Sequence, residues 1–320
     1  MKRIALTIAT VFTLTFATNA WAEGATTGNN GEAGIESSSV RYVRAPRFVR
    51  PLVEKWISEY AKTHSGVEFR LASGPKVKND ISLDIIVEGG SDNPKAFSDK
   101  TVYFGETALL PITARNSEAS RLLEGKRLNS KKLRQLFFIN DEDDDDEQKN
   151  KVFEQLTVYS GSNSASVGNA FARSYGENAS SFRGRRISGD DLFLNTALQK
   201  DPLGVSFNAL SNIFDLDSRS LKSALSLVSL DVKKEYQQAF SNQATLDEVL
   251  SVIETSRPSS VVVEKIGASY DGSDAAVGEF LAWVLESGVA FNHDYGVLNL
   301  DASIAQAEAR KIDFILTAQK

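Results

Sequence analysis

Residues 156–175 read LTVYSGSNSASVGNAFARSY. Leu156, Val158 and Tyr159 make a β-prone run, and Ser160, Gly161, Ser162, Asn163, Ser164, Ala165 and Ser166 follow as a loop of small residues. Ala170, Phe171 and Tyr175 then recur at helical spacing. A strand that feeds a hydroxyl-rich loop and a helix start brings unpaired backbone N–H groups, the positive end of a helix dipole and serine hydroxyls to one point. That is the equipment for holding a small anion. The same residues also serve as ordinary caps of the following helix, and local sequence leaves both readings open.

Working outward, the chain alternates strand and helix patterns. Residues 40–45 alternate as a short strand, and residues 51–63 carry Leu52, Val53, Trp56, Ile57, Tyr60 and Ala61 on one helical stripe. Between them Ala45-Pro46-Arg47-Phe48 forms a strand-to-helix turn with a guanidinium beside it. Residues 66–72, 83–87 and 102–113 read as strands, and 130–138 as a short amphipathic helix. Downstream, Gly189-Asp190-Asp191 opens a helix carrying Phe193, Leu194, Ala197 and Leu198, where paired aspartates cap and complement the dipole. Residues 204–210, 225–230 and 261–266 read as strands, and 246–253, 274–286 and 302–316 as helices, with 295–298 a short extended piece. Strands separated by helices at this spacing predict an α/β fold with a mixed, mostly parallel sheet arrangement.

At 320 residues and 42% hydrophobic content the chain can build one large core or two moderate ones. Met1, Lys2 and Arg3 precede an apolar run over 4–17 and the sequence Ala20-Trp21-Ala22, the order of a secretory signal peptide with cleavage after Ala22. Residues 23–39 are rich in Gly, Asn, Thr and Ser and read as a flexible leader. No later window is apolar for long enough to cross a bilayer. With no cysteine there is no disulfide, thiolate metal site or lipid-bearing thiol, and a bacterial periplasm fits best. Loss of Lys2 and Arg3 moves the formal charge from −6 to −8, which argues against nucleic acid as a partner.

Enzyme constellations are missing. His64 and His293 are the only histidines and neither carries a triad or metal spacing; a serine hydrolase built on the Ser160 to Ser166 loop would need one of them, or Lys76, as its base. There is no G-x-S-x-G, Walker loop or G-x-G-x-x-G, and no cofactor is expected. The carboxylate run NDEDDDDE at 140–147 lacks the glycine and terminal glutamate of a calcium loop and reads as a solvated insertion.

In order along the chain, several stretches resemble the phosphate-binding proteins of bacterial ABC importers, within the type II periplasmic binding proteins. They are Ala45-Pro46-Arg47-Phe48 with Pro51, Leu52 and Trp56; 109–116; Leu133 to Phe137; Ser164-Ala165-Ser166 with Phe171; Gly204-Val205-Ser206-Phe207; and Ala282-Trp283-Val284-Leu285 through Tyr295-Gly296. The resemblance implies two lobes, 40–113 with 259–320 and 114–258, hinged about crossover strands around a ligand cleft. It implies a monomer that takes a phosphate-like anion and delivers it to an inner-membrane permease. Arg47, Phe48, Ser160, Gly161, Ser164, Ala165 and Ser166 would line the ligand site. The chain departs from the pattern in three places: Ala45-Pro46-Arg47-Phe48 replaces small first-loop residues, Ser160 stands where the family carries an arginine, and the family's proton-accepting aspartate has no clear equivalent, although Asp84 begins that strand and Asp92 follows it. Arg47 is the replacement the sequence offers.

Overall fold

The computed structural model describes residues 40–73, 81–90, 101–139, 151–162, 167–270 and 272–318. Its elements are β1 (Val40–Arg44), α1 (Arg50–Ala61), β2 (Glu68–Leu71), β3 (Ile81–Val87), β4 (Thr101–Ala114), α2 (Glu118–Leu123), α3 (Ser130–Phe137), α4 (Lys151–Glu154), β5 (Thr157–Gly161) and α5 (Val167–Ser174). There follow β6 (Arg185–Ile187), α6 (Leu192–Lys200), β7 (Gly204–Ala209), α7 (Leu210–Ile213), β8 (Leu225–Leu227), α8 (Leu246–Ser256), β9 (Val262–Ser269), α9 (Ala275–Glu286) and α10 (Ala302–Ala318). The leader, the acidic run 140–147 and the serines of 163–166 lie outside the described residues.

The strands form one nine-stranded sheet in the order β2-β1-β3-β9-β4-β7-β5-β6, with β8 also on β4. The expected α/β architecture is observed, with a larger antiparallel share than the spacing suggested. Ladders are parallel toward the two ends, at β1–β2, β1–β3, β5–β7 and β5–β6. They are antiparallel in the middle, where β9 runs against both β3 and β4, and β7 and β8 run against β4.

β4 explains why. Its 14 residues are buried throughout except Tyr103 and Ala114, the burial of a strand covered on both faces. At roughly 3.3 Å per residue it extends about 45 Å. Thr101 to Leu109 pair with β9, while Leu109 to Thr113 pair with β7 and Ile112 to Ala114 with β8. One strand thus joins the sheet's first half to its second. A register shift falls between Tyr103 and Gly105. A Cβ at Gly105 would lie 2.7 Å from Val297 Cγ1 and 2.9 Å from the Leu298 carbonyl oxygen, so only glycine lets that chain approach.

Two further expectations change. Residues 295–298 are not an extended run: His293–Tyr295 is a 3-10 turn and Gly296 adopts a left-handed φ of 71°. Buried Asn292 organises this turn, its carbonyl accepting from the amides of Tyr295 and Val297 and its Nδ2 donating to Phe104 O at 3.1 Å. Only Leu298 reaches the sheet, exchanging hydrogen bonds with Glu106 at 2.9 Å each way. The strand expected over 225–230 stops at Leu227 because the chain changes partner, Leu230 bridging to Leu128.

The helices follow their sequence signals. Pro51 lies in the first turn of α1, where its missing N–H is harmless, and Leu52, Val53, Trp56 and Tyr60 are the buried stripe. Trp56 Nε1 donates to Gly288 O at 2.8 Å, and Tyr60 meets Phe280 of α9 edge-on at 5.0 Å. Asp274 caps α9 through the amides of Ala276 and Val277 and also holds Arg41 of β1 at 2.8 Å. α8 starts with a reciprocal capping box between Thr245 and Glu248 and buries Leu246, Val249, Leu250 and Ile253. Thr245→Ala leaves the Glu248 amide without its cap and is expected to lower stability by about 1 kcal/mol, read from urea unfolding midpoints at constant slope.

The second half has its own aromatic core. Phe171 of α5 stacks on Phe207 of β7 with centroids 3.8 Å apart and meets Phe137 of α3 edge-on at 5.1 Å. Phe138 and Phe182 complete the group. Gly184, at φ 84°, lets the chain cross β5, since a Cβ there would sit 2.2 Å from the Val158 carbonyl oxygen.

Candidate functional site

The junction after β5 meets three other parts of the chain. Ser160 and Gly161 end β5 in buried positions, and the Ser160 Oγ has no hydrogen-bond partner among the described residues. Ser162 N–H donates to Ile187 O at 2.9 Å, fixing the chain as it leaves the strand. Ser164, Ala165 and Ser166 fall outside the described residues. At the start of α5 the Val167 amide donates to Asp191 Oδ2 at 3.2 Å. A carboxylate of the protein itself therefore sits where the helix offers its first N–H.

Asp190 and Asp191 divide the capping task that sequence assigned to them jointly. Asp190 Oδ1 accepts from Leu192 N–H at 2.9 Å and so caps α6, while its Oδ2 lies 3.3 Å from Arg47 Nε. Asp191 reaches across to α5 instead, and its Oδ1 is sealed from solvent without a partner among the described residues. Burial pushes the Asp191 carboxyl up to about 6, against the pull of the Val167 amide and with a smaller push from neighbouring Asp190.

Buried asparagines hold this corner. Asn208 Nδ2 donates to Asp191 O at 2.8 Å and to Asn195 Oδ1 at 3.1 Å, while Asn212 Nδ2 donates to Asn208 Oδ1 at 2.8 Å. Asn195 Nδ2 in turn donates to Asn212 O at 2.9 Å. The amides form a satisfied network between β7, α6 and α7, the condition under which buried polar groups rigidify a site. Nothing in their spacing announced it.

The first loop approaches from the N-terminal end of the chain. Arg47–Val49 is a 3-10 turn closed by Val49 N–H to Pro46 O at 3.1 Å. Phe48 points into the core at 4% exposure, so its side chain packs and its backbone faces the corner: Phe48 O accepts from Ser211 Oγ at 2.8 Å. Arg47 is 65% exposed and meets the rim carboxylate of Asp190. Nearby, Asn169 Nδ2 of α5 donates to Gly90 O, after β3, at 3.1 Å. Arg47 thus meets Asp190, and Asp191 meets the start of α5, whereas the Phe48 side chain turns away.

The histidines are elsewhere and engaged. His64 stacks on Tyr60 at 3.9 Å, and His293 Nε2 lies 2.8 Å from Glu254 Oε1. Neither contacts a serine among the described residues, and Lys76 lies outside them. Among the described residues no helix is long and apolar enough to cross a membrane.

This mixed α/β architecture, one sheet flanked by helices, is a fold also seen in a solved ABC transporter substrate-binding protein. Among solved structures it is similar to a Clostridium perfringens protein assigned as a phosphate ABC transporter substrate-binding protein and solved with bound phosphate, at 15% identity and a TM-score of 0.52, covering 82% of this chain and 100% of that one. It is also similar to an ABC-type phosphate transport receptor from Vibrio cholerae, at 12% identity and a TM-score of 0.48, covering 81% and 100%. No family model matches the chain, and no curated protein sequence does.

Proposed function

We propose that this chain is an exported solute-binding protein that captures a small oxyanion, phosphate first, and delivers it to an inner-membrane ABC-type importer. No catalytic step is part of this reading. The observation that carries it is the placement of the Arg47 guanidinium 3.3 Å from Asp190 at the start of α6, next in sequence to the Asp191 that meets the first amide of α5. A guanidinium and a helix N-terminus together favour an oxyanion through charge-assisted hydrogen bonds. Residues 40–113 with 259–320 would form one lobe and 114–258 the other, hinged where β4 passes from β9 to β7. Export with cleavage after Ala22, and a monomeric state, belong to the same reading. In the bound form Arg47 would supply the charge that Ser160 cannot, with the Phe48 backbone, Ser160, Gly161, Ser164, Ala165 and Ser166 completing the shell.

The test is thermal unfolding of residues 23–320 with millimolar phosphate, and with sulfate as control. A ligand at a hundred times its dissociation constant adds roughly 2.7 kcal/mol, a shift of several degrees that general salt effects do not reproduce selectively. Arg47→Ala is expected to weaken phosphate binding at least about tenfold, because nothing else described in the loop carries the lost charge. An unchanged affinity sinks the assignment of Arg47.

One observation favours a second reading, in which the fold is retained and the cleft serves another solute or a protein partner. Both groups that an oxyanion would use, the Arg47 guanidinium and the Val167 amide, are engaged by aspartates. No shift with either anion would select this reading.

A further inference from the structure

The geometry points to Asp190 and Asp191 as intramolecular ligands of the anion site, a built-in competitor that an incoming oxyanion must displace. The inference rests on the oxyanion reading above and adds what sets its affinity. Two contacts carry it independently. Asp190 Oδ2 lies 3.3 Å from Arg47 Nε, joining a loop near the N-terminal end of the sheet to the start of α6. Asp191 Oδ2 accepts from the first amide of α5 at 3.2 Å. One carboxylate thus occupies the cation and the other the helix N-terminus, the two donors that a bound oxyanion would share.

The contact with Arg47 is not needed for capping. Asp190 already caps α6 with its other oxygen, at 2.9 Å from Leu192 N. Asp191 leaves its own helix to reach α5, and its second oxygen stays buried without a described partner. A buried, half-satisfied carboxylate is costly unless it gains a further donor. The loop residues outside the described region, Asn163 to Ser166, carry no charge that would offset the pair. Arg47 is 65% exposed, so its ion pair is weak and separable. A latch of this kind yields to solute and otherwise keeps both donors occupied.

Asp190 therefore lowers affinity twice, by occupying Arg47 and by repelling the ligand at close range. Isothermal titration of inorganic phosphate and sulfate into the parent, Asp190→Asn, Asp190→Asn/Asp191→Asn and Asp190→Asn/Arg47→Ala tests this, with circular dichroism confirming that each variant is folded. The amide oxygen introduced by Asp190→Asn still accepts from the Leu192 N–H, so the helix start is preserved. The expected result is that D190N binds phosphate at least about tenfold tighter than the parent and that adding R47A removes the gain. If the parent binds phosphate and D190N binds no tighter, the competitor is overturned while the oxyanion reading stands. If neither the parent nor any folded variant binds either anion, both are overturned together.

Discussion

Asp191→Asn is expected to raise stability by up to about 3 kcal/mol at pH 8 and to leave it nearly unchanged at pH 4. The reason is the proton balance between native and unfolded chains. Burial moves the Asp191 carboxyl from 3.8 to about 6 in the folded protein, so between those values the native state binds the proton more tightly. The resulting stabilisation is fully present below about pH 4 and is lost as pH rises through 6, because ∂ΔG/∂pH is negative where the native state holds more protons. A tenfold change in proton affinity is worth about 1.4 kcal/mol, which sets the ceiling near 3. Asparagine stays neutral at every pH and still offers an oxygen to the Val167 amide.

Urea unfolding of parent and variant at pH 4, 5, 6, 7 and 8 gives the difference curve directly. Glu264, which burial pushes up to about 7 with a further push from Glu88, titrates in both proteins and so cancels in the subtraction. A stability difference that is flat from pH 4 to pH 8 would remove the argument for a buried, ionising Asp191.

Phe171→Ala is expected to cost about 3–5 kcal/mol, the range for emptying a fully buried aromatic position. Phe171 is 1% exposed, lies parallel to Phe207 at 3.8 Å with an interplanar angle of 7°, and touches Phe137 from the side. Its neighbours Phe138, Tyr175, Phe182 and Phe207 are rings that also pack against one another, which limits their collapse into the space. Phe171 also anchors α5, whose first amide meets Asp191. Phe171→Leu, which keeps most of the volume, should cost less than half as much. Equilibrium denaturation reads both, and a loss under about 1 kcal/mol for the alanine variant would show that α5 is held by something other than this stack.

Most elements were legible because each is specified locally. The helix over 246–253 carries its own capping box and four apolar positions on one face. The helix with Pro51 in its first turn and the long strand over 102–113 likewise state their type without reference to neighbours. Legibility failed where a segment's conformation answers to a distant group. Residues 295–298 wrap a buried asparagine that in turn holds Phe104, and Leu230 leaves one strand for Leu128.

The candidate site divides the same way. The serine loop after a strand and the arginine in the first turn stand out from their neighbours, and the sequence alone determined that they exist and that each adjoins a helix start. It also determined the α/β class, since strand and helix periods alternate along the chain. Only the tertiary structure decided that Arg47 faces Asp190, that Asp191 abandons its own helix for α5, and that the Phe48 side chain belongs to the core. The physical reason is range: propensity, capping and periodicity act within a turn or two of the chain. Which carboxylate meets Arg47 or the Val167 amide is settled instead by how β4 brings the two halves of the sheet together.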